Sequence, residues 1–129
     1  MANKKFVVLV VEDEPVAQAV AKALLSPHAE VLVAMCLRDA LLYIKDRKDI
    51  NIVILDWYVP MFRNETIRGG DTTALLIFRI IESLPEAKMY SASGDDEANR
   101  ELEEMGCIYA NKQTAPQMAI EYILSLQNS

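Results

Sequence analysis

Short apolar runs alternate along this chain with stretches in which apolar residues return every three or four positions. Runs of that kind mark strands buried on both faces, and the spaced stretches mark helices with one face inward. FVVLVV (6–11) is the first predicted strand. Glu14-Pro15 then opens a helix, since proline suits a first turn. Val16, Ala19, Val20, Ala23 and Leu24 follow at helical spacing, and Ser26-Pro27 ends the element. AEVLVA (29–34) is the second strand, followed by a helix near 37–48 with Leu37, Leu41, Leu42 and Ile44 inward. NIVILD (51–56) is the third strand.

Next come fourteen residues without periodicity, WYVPMFRNETIRGG. Gly69-Gly70-Asp71 closes this loop, and Asp71 or a neighbouring threonine caps a helix running to about Ser83. AKMYSA (87–92) is the fourth strand. A short, acidic, exposed helix lies near 95–105, and Gly106 stops it. CIYAN (107–111) is the fifth strand, and the last helix begins at Thr114, where Thr-Ala-Pro-Gln reads as a capping box. The order βαβαβαβαβα calls for a parallel sheet with helices on both faces.

Composition changes this picture little. The 129 residues fit one domain, 1–129, and suffice for a real core. A net charge of −6 argues against nucleic acid or an anionic membrane as a direct partner. FVVLVV is too short, and too soon interrupted by Glu12, for a signal peptide, and no stretch reaches membrane-spanning length. Cys36 and Cys107 are far apart, with no CxxC or metal spacing around either. They read as two reduced thiols in a cytoplasmic core.

The chemistry follows from where the polar residues fall. In parallel sheets the ligand site lies at the carboxyl ends of the strands. Glu12-Asp13-Glu14 follows the first strand, Asp56 the third, Ser91 the fourth and Lys112 the fifth. Taken singly, the acids suit a helix N-terminus, Asp56 a strand end, Ser91 a turn and Lys112 a surface. Taken together they converge on one edge, where crowded carboxylates repel and a hard divalent cation, Mg²⁺ above all, relieves them. A carboxylate beside Mg²⁺, a lysine and a hydroxyl is what phosphoryl transfer to an aspartate requires.

With these residues in place, the sequence resembles the CheY-like receiver domain of two-component response regulators over essentially its whole length. The pieces that carry the resemblance are VVLVVEDEP, VILDWYVP, MYSASG and YANK, each closing a predicted strand. The resemblance implies a flavodoxin-like (βα)5 fold, with a five-stranded parallel sheet in the order 2-1-3-4-5. It implies Asp56 as phosphoacceptor, with Glu12, Asp13, Asp56 and the backbone carbonyl of Tyr58 holding Mg²⁺. Ser91 and Lys112 would complete the phosphoryl site, and Ser91 and Tyr109 would act as switch residues. The donor would be a histidine kinase or histidine phosphotransfer protein. The readout would be an altered surface of the fourth helix, fifth strand and last helix, offered to a downstream protein target or output domain. Such a domain catalyses its own phosphorylation and dephosphorylation but is not otherwise an enzyme.

Two departures stand out. The family's proline after the lysine, often in a cis peptide, is Gln113 here. A cis bond to a non-proline residue costs about 2.5–4 kcal/mol, so a trans bond and an altered loop are expected. The loop after Pro60 also carries about five extra residues before Gly69, a cheap insertion. Rival readings fare worse on particular residues. A phosphatase of the haloacid dehalogenase type needs a second aspartate two residues after the nucleophile, where this chain has Tyr58. A flavodoxin needs a phosphate loop after the first strand, where Glu12-Asp13-Glu14 would repel the ligand. A phosphorylation-independent interaction module would have no use for the complete acidic, hydroxyl and lysine set.

Overall fold

In the computed structural model, whose described residues are 5–63 and 71–128, strands and helices alternate as the pattern requires. They are β1 (Val7–Val11), α1 (Pro15–Leu25), β2 (Glu30–Ala34), α2 (Leu37–Asp46), β3 (Ile52–Leu55), α3 (Asp71–Ser83), β4 (Lys88–Ser91), α4 (Asp96–Glu104) and α5 (Ala115–Gln127). The strands are parallel and ordered β2-β1-β3-β4.

β1 is interior to the sheet and buried along its whole length. Val7, Leu9 and Val11 point into a core shared with Leu37, Ala40 and Ile44 of α2 and Leu76, Ile77 and Ile80 of α3. Phe6, Val8 and Val10 point the other way, against Ala21 and Leu25 of α1 and Ala115, Ala119 and Ile123 of α5. This is the period-two geometry of a strand between two helical layers. Each large side chain so buried contributes about 1.5–3 kcal/mol, which is why the run before Glu12 has no polar residue.

The expected fifth strand is not a strand. Residues 107–111 lie beside β4 but make one parallel bridge, Tyr90 to Ile108. The rung is complete there: Ile108 N–H donates to Met89 O at 2.7 Å, and Ser91 N–H to Ile108 O at 3.1 Å. The next rung is diverted to side chains. Ala110 N–H donates to the Ser91 hydroxyl at 2.7 Å, and Ser93 N–H to Asn99 Oδ1 at 2.8 Å. With its backbone partners taken, the ladder stops after one bridge, and among the described residues the sheet has four strands.

Three smaller expectations also change. Leu42, expected inward, is 49% exposed, because Leu37, Ala40 and Ile44 already fill the face that α2 turns to the core. On α1, Val16, Val20 and Leu24 lie on the exposed side, while Ala21 and Leu25 are buried. Thr114 occupies the N-cap position of α5 but makes no capping bond. Its hydroxyl instead accepts Asn111 N–H at 3.0 Å and donates to Asn111 Oδ1 at 3.1 Å. The stop at Gly106 is as expected. Its φ of +111° lies in the left-handed region that glycine adopts without strain. The chain then turns so that Cys107 N–H reaches Leu102 O at 3.0 Å. The Gly69-Gly70 closure and the capping of α3 lie outside the described residues.

Candidate functional site

Sheet-type hydrogen bonds continue past the strand ends and fix the backbone of the residues that follow. Glu12 N–H donates to Ala34 O at 2.9 Å, Asp56 N–H to Val11 O at 3.1 Å and Ala92 N–H to Leu55 O at 3.0 Å. Lys112 N–H reaches Ser93 O at 3.2 Å, which ties the fifth segment to the same edge. The site is therefore built on rigid elements.

The side chains converge as the sequence suggested. Glu12, Asp13 and Asp56 each place a carboxylate oxygen within 4.8 Å of the others. Glu12 and Asp56 are both 5% exposed. Lys112 Nζ stands 3.3 Å from Glu12 Oε1, 3.6 Å from Asp56 Oδ2 and 3.6 Å from Glu14 Oε2. Backbone donors take the second oxygens of Glu12 and Asp56: Glu14 N–H reaches Glu12 Oε2 at 3.2 Å, and Tyr58 N–H reaches Asp56 Oδ1 at 3.3 Å. Asp13, Glu14, Asp56, Tyr58, Asp95 and Lys112 are among the residues lining an open cleft of about 570 Å³.

One ammonium cannot balance this many acids. Burial and the neighbouring Asp56 carboxylate push Glu12 up to about 7. Burial likewise raises Asp56, against the pull of Lys112. Burial acts to lower Lys112, but Glu12 and Asp56 outweigh it and raise the lysine. The cluster is thus short of positive charge, and its donors are hard oxygens held close together. That donor set fits a divalent cation of the Mg²⁺ or Ca²⁺ kind.

Not every predicted residue joins the cluster. Ser91 is fully buried, and its hydroxyl is engaged with Ala110, donating to Ala110 O at 2.7 Å while accepting the Ala110 N–H. Tyr109 is 38% exposed, and its hydroxyl donates to the Asp96 carboxylate on α4, outside the cleft. Gln113 follows a trans peptide bond. Its N–H donates to Asn111 Oδ1 at 2.9 Å, as does that of Thr114, in a side-chain turn that a proline at 113 would interrupt.

Several contributors escaped the sequence. Gln18 Nε2 donates to Glu12 O at 2.6 Å, and Thr73 Oγ1 to Trp57 O at 2.8 Å, so α1 and α3 each grip a segment of the site. Buried Asn99 clamps Ser93 by accepting its N–H and donating to its carbonyl at 3.0 Å. Asp95 accepts the Tyr58 hydroxyl at 2.9 Å. An aspartate ahead of a helix could have been read as the N-cap of α4, but nothing in the sequence ties it to Tyr58. Arg63, in the loop after Pro60, pairs with Asp39 at 2.9 Å.

No protein-family model and no curated protein matches the chain. Solved structures do. The signal receiver domain of an HD domain-containing protein from Pseudomonas fluorescens Pf-5 superposes with a TM-score of 0.74 at 21% identity, covering 99% of this chain and 93% of that one. A response regulator from Thermotoga maritima gives 0.70 at 22%, covering 98% and 100%. NtrX from Brucella abortus gives 0.73 at 22%, and there 97% of this chain spans 28% of the larger protein. The fold is that of response-regulator receiver domains, a flavodoxin-like parallel α/β arrangement. Among the described residues no helix is long and apolar enough to cross a membrane.

Proposed function

We propose that this chain is a single receiver domain that accepts a phosphoryl group on Asp56. The observation that carries the reading is the position of Asp56. It is a buried carboxylate at the carboxyl edge of the sheet, 3.6 Å from Lys112 and within 4.8 Å of two further acids.

The donor is a phosphohistidine on a kinase or phosphotransfer protein. An Asp56 oxygen attacks the phosphorus, the new O–P bond forms as the N–P bond breaks, and the imidazole leaves with the electron pair and takes up a proton. Lys112 offers its ammonium to the phosphoryl oxygens as charge gathers on them. Glu12, Asp13, Asp56 and the Tyr58 carbonyl are the groups that would hold Mg²⁺, which when bound supplies the positive charge the cluster lacks and polarises the phosphoryl oxygens. The Ser91 hydroxyl exchanges its bond to Ala110 for one to the phosphoryl group. Tyr109 leaves Asp96 and moves inward, and the surface of α4, residues 107–111 and α5 changes its affinity for a downstream protein target or output domain. The protein acts as a cytoplasmic regulator whose chemistry is confined to its own phosphorylation and dephosphorylation, in keeping with two buried free cysteines.

Intact mass after incubation with acetyl phosphate and Mg²⁺ tests this. One added phosphoryl group is expected, absent in Asp56→Asn and absent with a chelator. A phosphoryl group retained by Asp56→Asn would overturn the assignment.

A further inference from the structure

A side-chain strap joins two residues that line the cleft. Tyr58 leaves the segment after β3, and its hydroxyl donates to Asp95 Oδ2 at 2.9 Å, on the segment after β4. Both residues line the cleft that holds Asp56. The acceptor is firmly held. Asp95 N–H donates to Ser93 Oγ at 3.2 Å, and Ser93 is itself clamped at both backbone groups by buried Asn99. The second Asp95 oxygen accepts Glu97 N–H at 3.1 Å as the N-cap of α4. One carboxylate therefore serves two ends: it starts a helix and ties the Tyr58 ring to the segment after β4. Tyr58 is 41% exposed, so without this bond little else would hold the ring in one rotamer.

Resting on the function proposed above, we infer that Asp95 is a positioning residue that sets the lifetime of the aspartyl phosphate through Tyr58. Hydrolysis requires a water to attack phosphorus from the side opposite the Asp56 oxygen. The P–O bond to Asp56 breaks, the carboxylate leaves with the electron pair, and the water's protons pass to inorganic phosphate and solvent. That water enters through the cleft that the strap borders. With Tyr58 tied to Asp95 the approach is obstructed, and with the tie cut the ring swings free and water gains access. A protein donor must open the same strap to deliver its phosphoryl group.

The test follows phosphoryl loss by intact mass after acetyl phosphate is removed, in the unaltered protein, Tyr58→Phe, Asp95→Ser and the double variant. Serine keeps an N-cap but is too short to meet Tyr58. Phenylalanine keeps the ring and loses the hydroxyl. Each single variant is expected to lose phosphate about three- to tenfold faster, the range that the net worth of one solvent-exposed hydrogen bond supports. The double variant should be no faster than either single one, with far-UV circular dichroism unchanged in all. Rates that multiply in the double variant, or a Tyr58→Phe lifetime equal to that of the unaltered protein, would overturn the strap while leaving Asp56 as acceptor. Uptake by the variants but not by the unaltered protein would uphold it in stronger form. Uptake by none would remove the functional reading, and the strap with it.

Discussion

The two ends of this sheet handle charge in opposite ways. At the amino end, Glu30 begins β2 and is gripped by both terminal nitrogens of Arg47 at 3.0 Å each, with Lys5 at 3.2 Å. Arg47 also holds Asp49 at 2.9 and 2.8 Å. Two cations meet two anions, and the Arg47 hydrogen bond, with Lys5 behind it, draws Glu30 down to about 2. At the carboxyl end, Glu12, Glu14 and Asp56 face Lys112 with Asp13 beside Glu12 and Asp56, and Glu12 rises to about 7. The same side chain, glutamate, is stabilised as an anion at one end of the sheet and destabilised as an anion at the other. Matched charge serves the fold. Unmatched, buried charge is what a ligand can relieve, and proteins commonly surrender stability at such places.

The sharpest way to break this contrast is to supply the missing charge. Mg²⁺ titrated into the protein and followed by Trp57 fluorescence should bind, and Asp56→Asn or Glu12→Gln should weaken it by at least about tenfold. Glu30→Gln should leave the titration unchanged. Equal sensitivity at both ends would mean that the carboxyl-end acids are not a metal cluster.

Stability should respond next. In chelator, Asp56→Asn removes a buried charge that is poorly compensated and is expected to raise the unfolding free energy in urea by about 1–2 kcal/mol. The pH dependence has the same origin. Glu12 titrates near 7 in the folded chain against an ordinary 4.5, so between those values the folded state binds more protons than the unfolded one. Stability of the cation-free protein should therefore fall as pH rises from about 4.5 through 7, by about 1–2 kcal/mol after allowance for solvent screening. Glu12→Gln should flatten that slope, and Mg²⁺ should abolish it. A rise in stability over the same interval would contradict the burial-driven shift.

How much of this was legible in the sequence depended on the range of the interaction. Val7 to Val11 and Ile52 to Leu55 announced themselves, because burial on both faces forces an uninterrupted apolar run. Glu12, Asp56 and Lys112 were legible because a parallel sheet gathers strand ends at one edge, whatever lies between. The fifth strand was misread because its pattern is that of a strand, while its hydrogen bonds are intercepted by Ser91 and Asn99. Side-chain capture of a backbone group leaves no periodic trace. Leu42 was misread for a related reason: helical spacing names a stripe, and packing against β1 decides where the buried face ends. The Tyr58–Asp95 bond joins residues 37 positions apart, and no local rule predicts it.

The smallest expected effect belongs to the matched end, and its sign is opposite. Glu30 titrates near 2 when folded against an ordinary 4.5, so its contribution is complete above 4.5 and disappears as pH falls toward 2. The Lys5–Glu30–Arg47 network is partly solvent-exposed, with Lys5 73% exposed, so screening keeps its value modest. Glu30→Gln should lower the melting temperature at pH 7 by about 1–3 °C, with the difference shrinking in molar salt and again on acidification. In thermal melts from pH 7 to 2, the unaltered protein and the variant should converge at the acid end, below the interval in which protonation relieves Glu12 at the opposite edge of the sheet. A gap that persisted at pH 2 and in high salt would place the role of Glu30 in packing along β2, and the two ends of the sheet would then differ in geometry more than in charge.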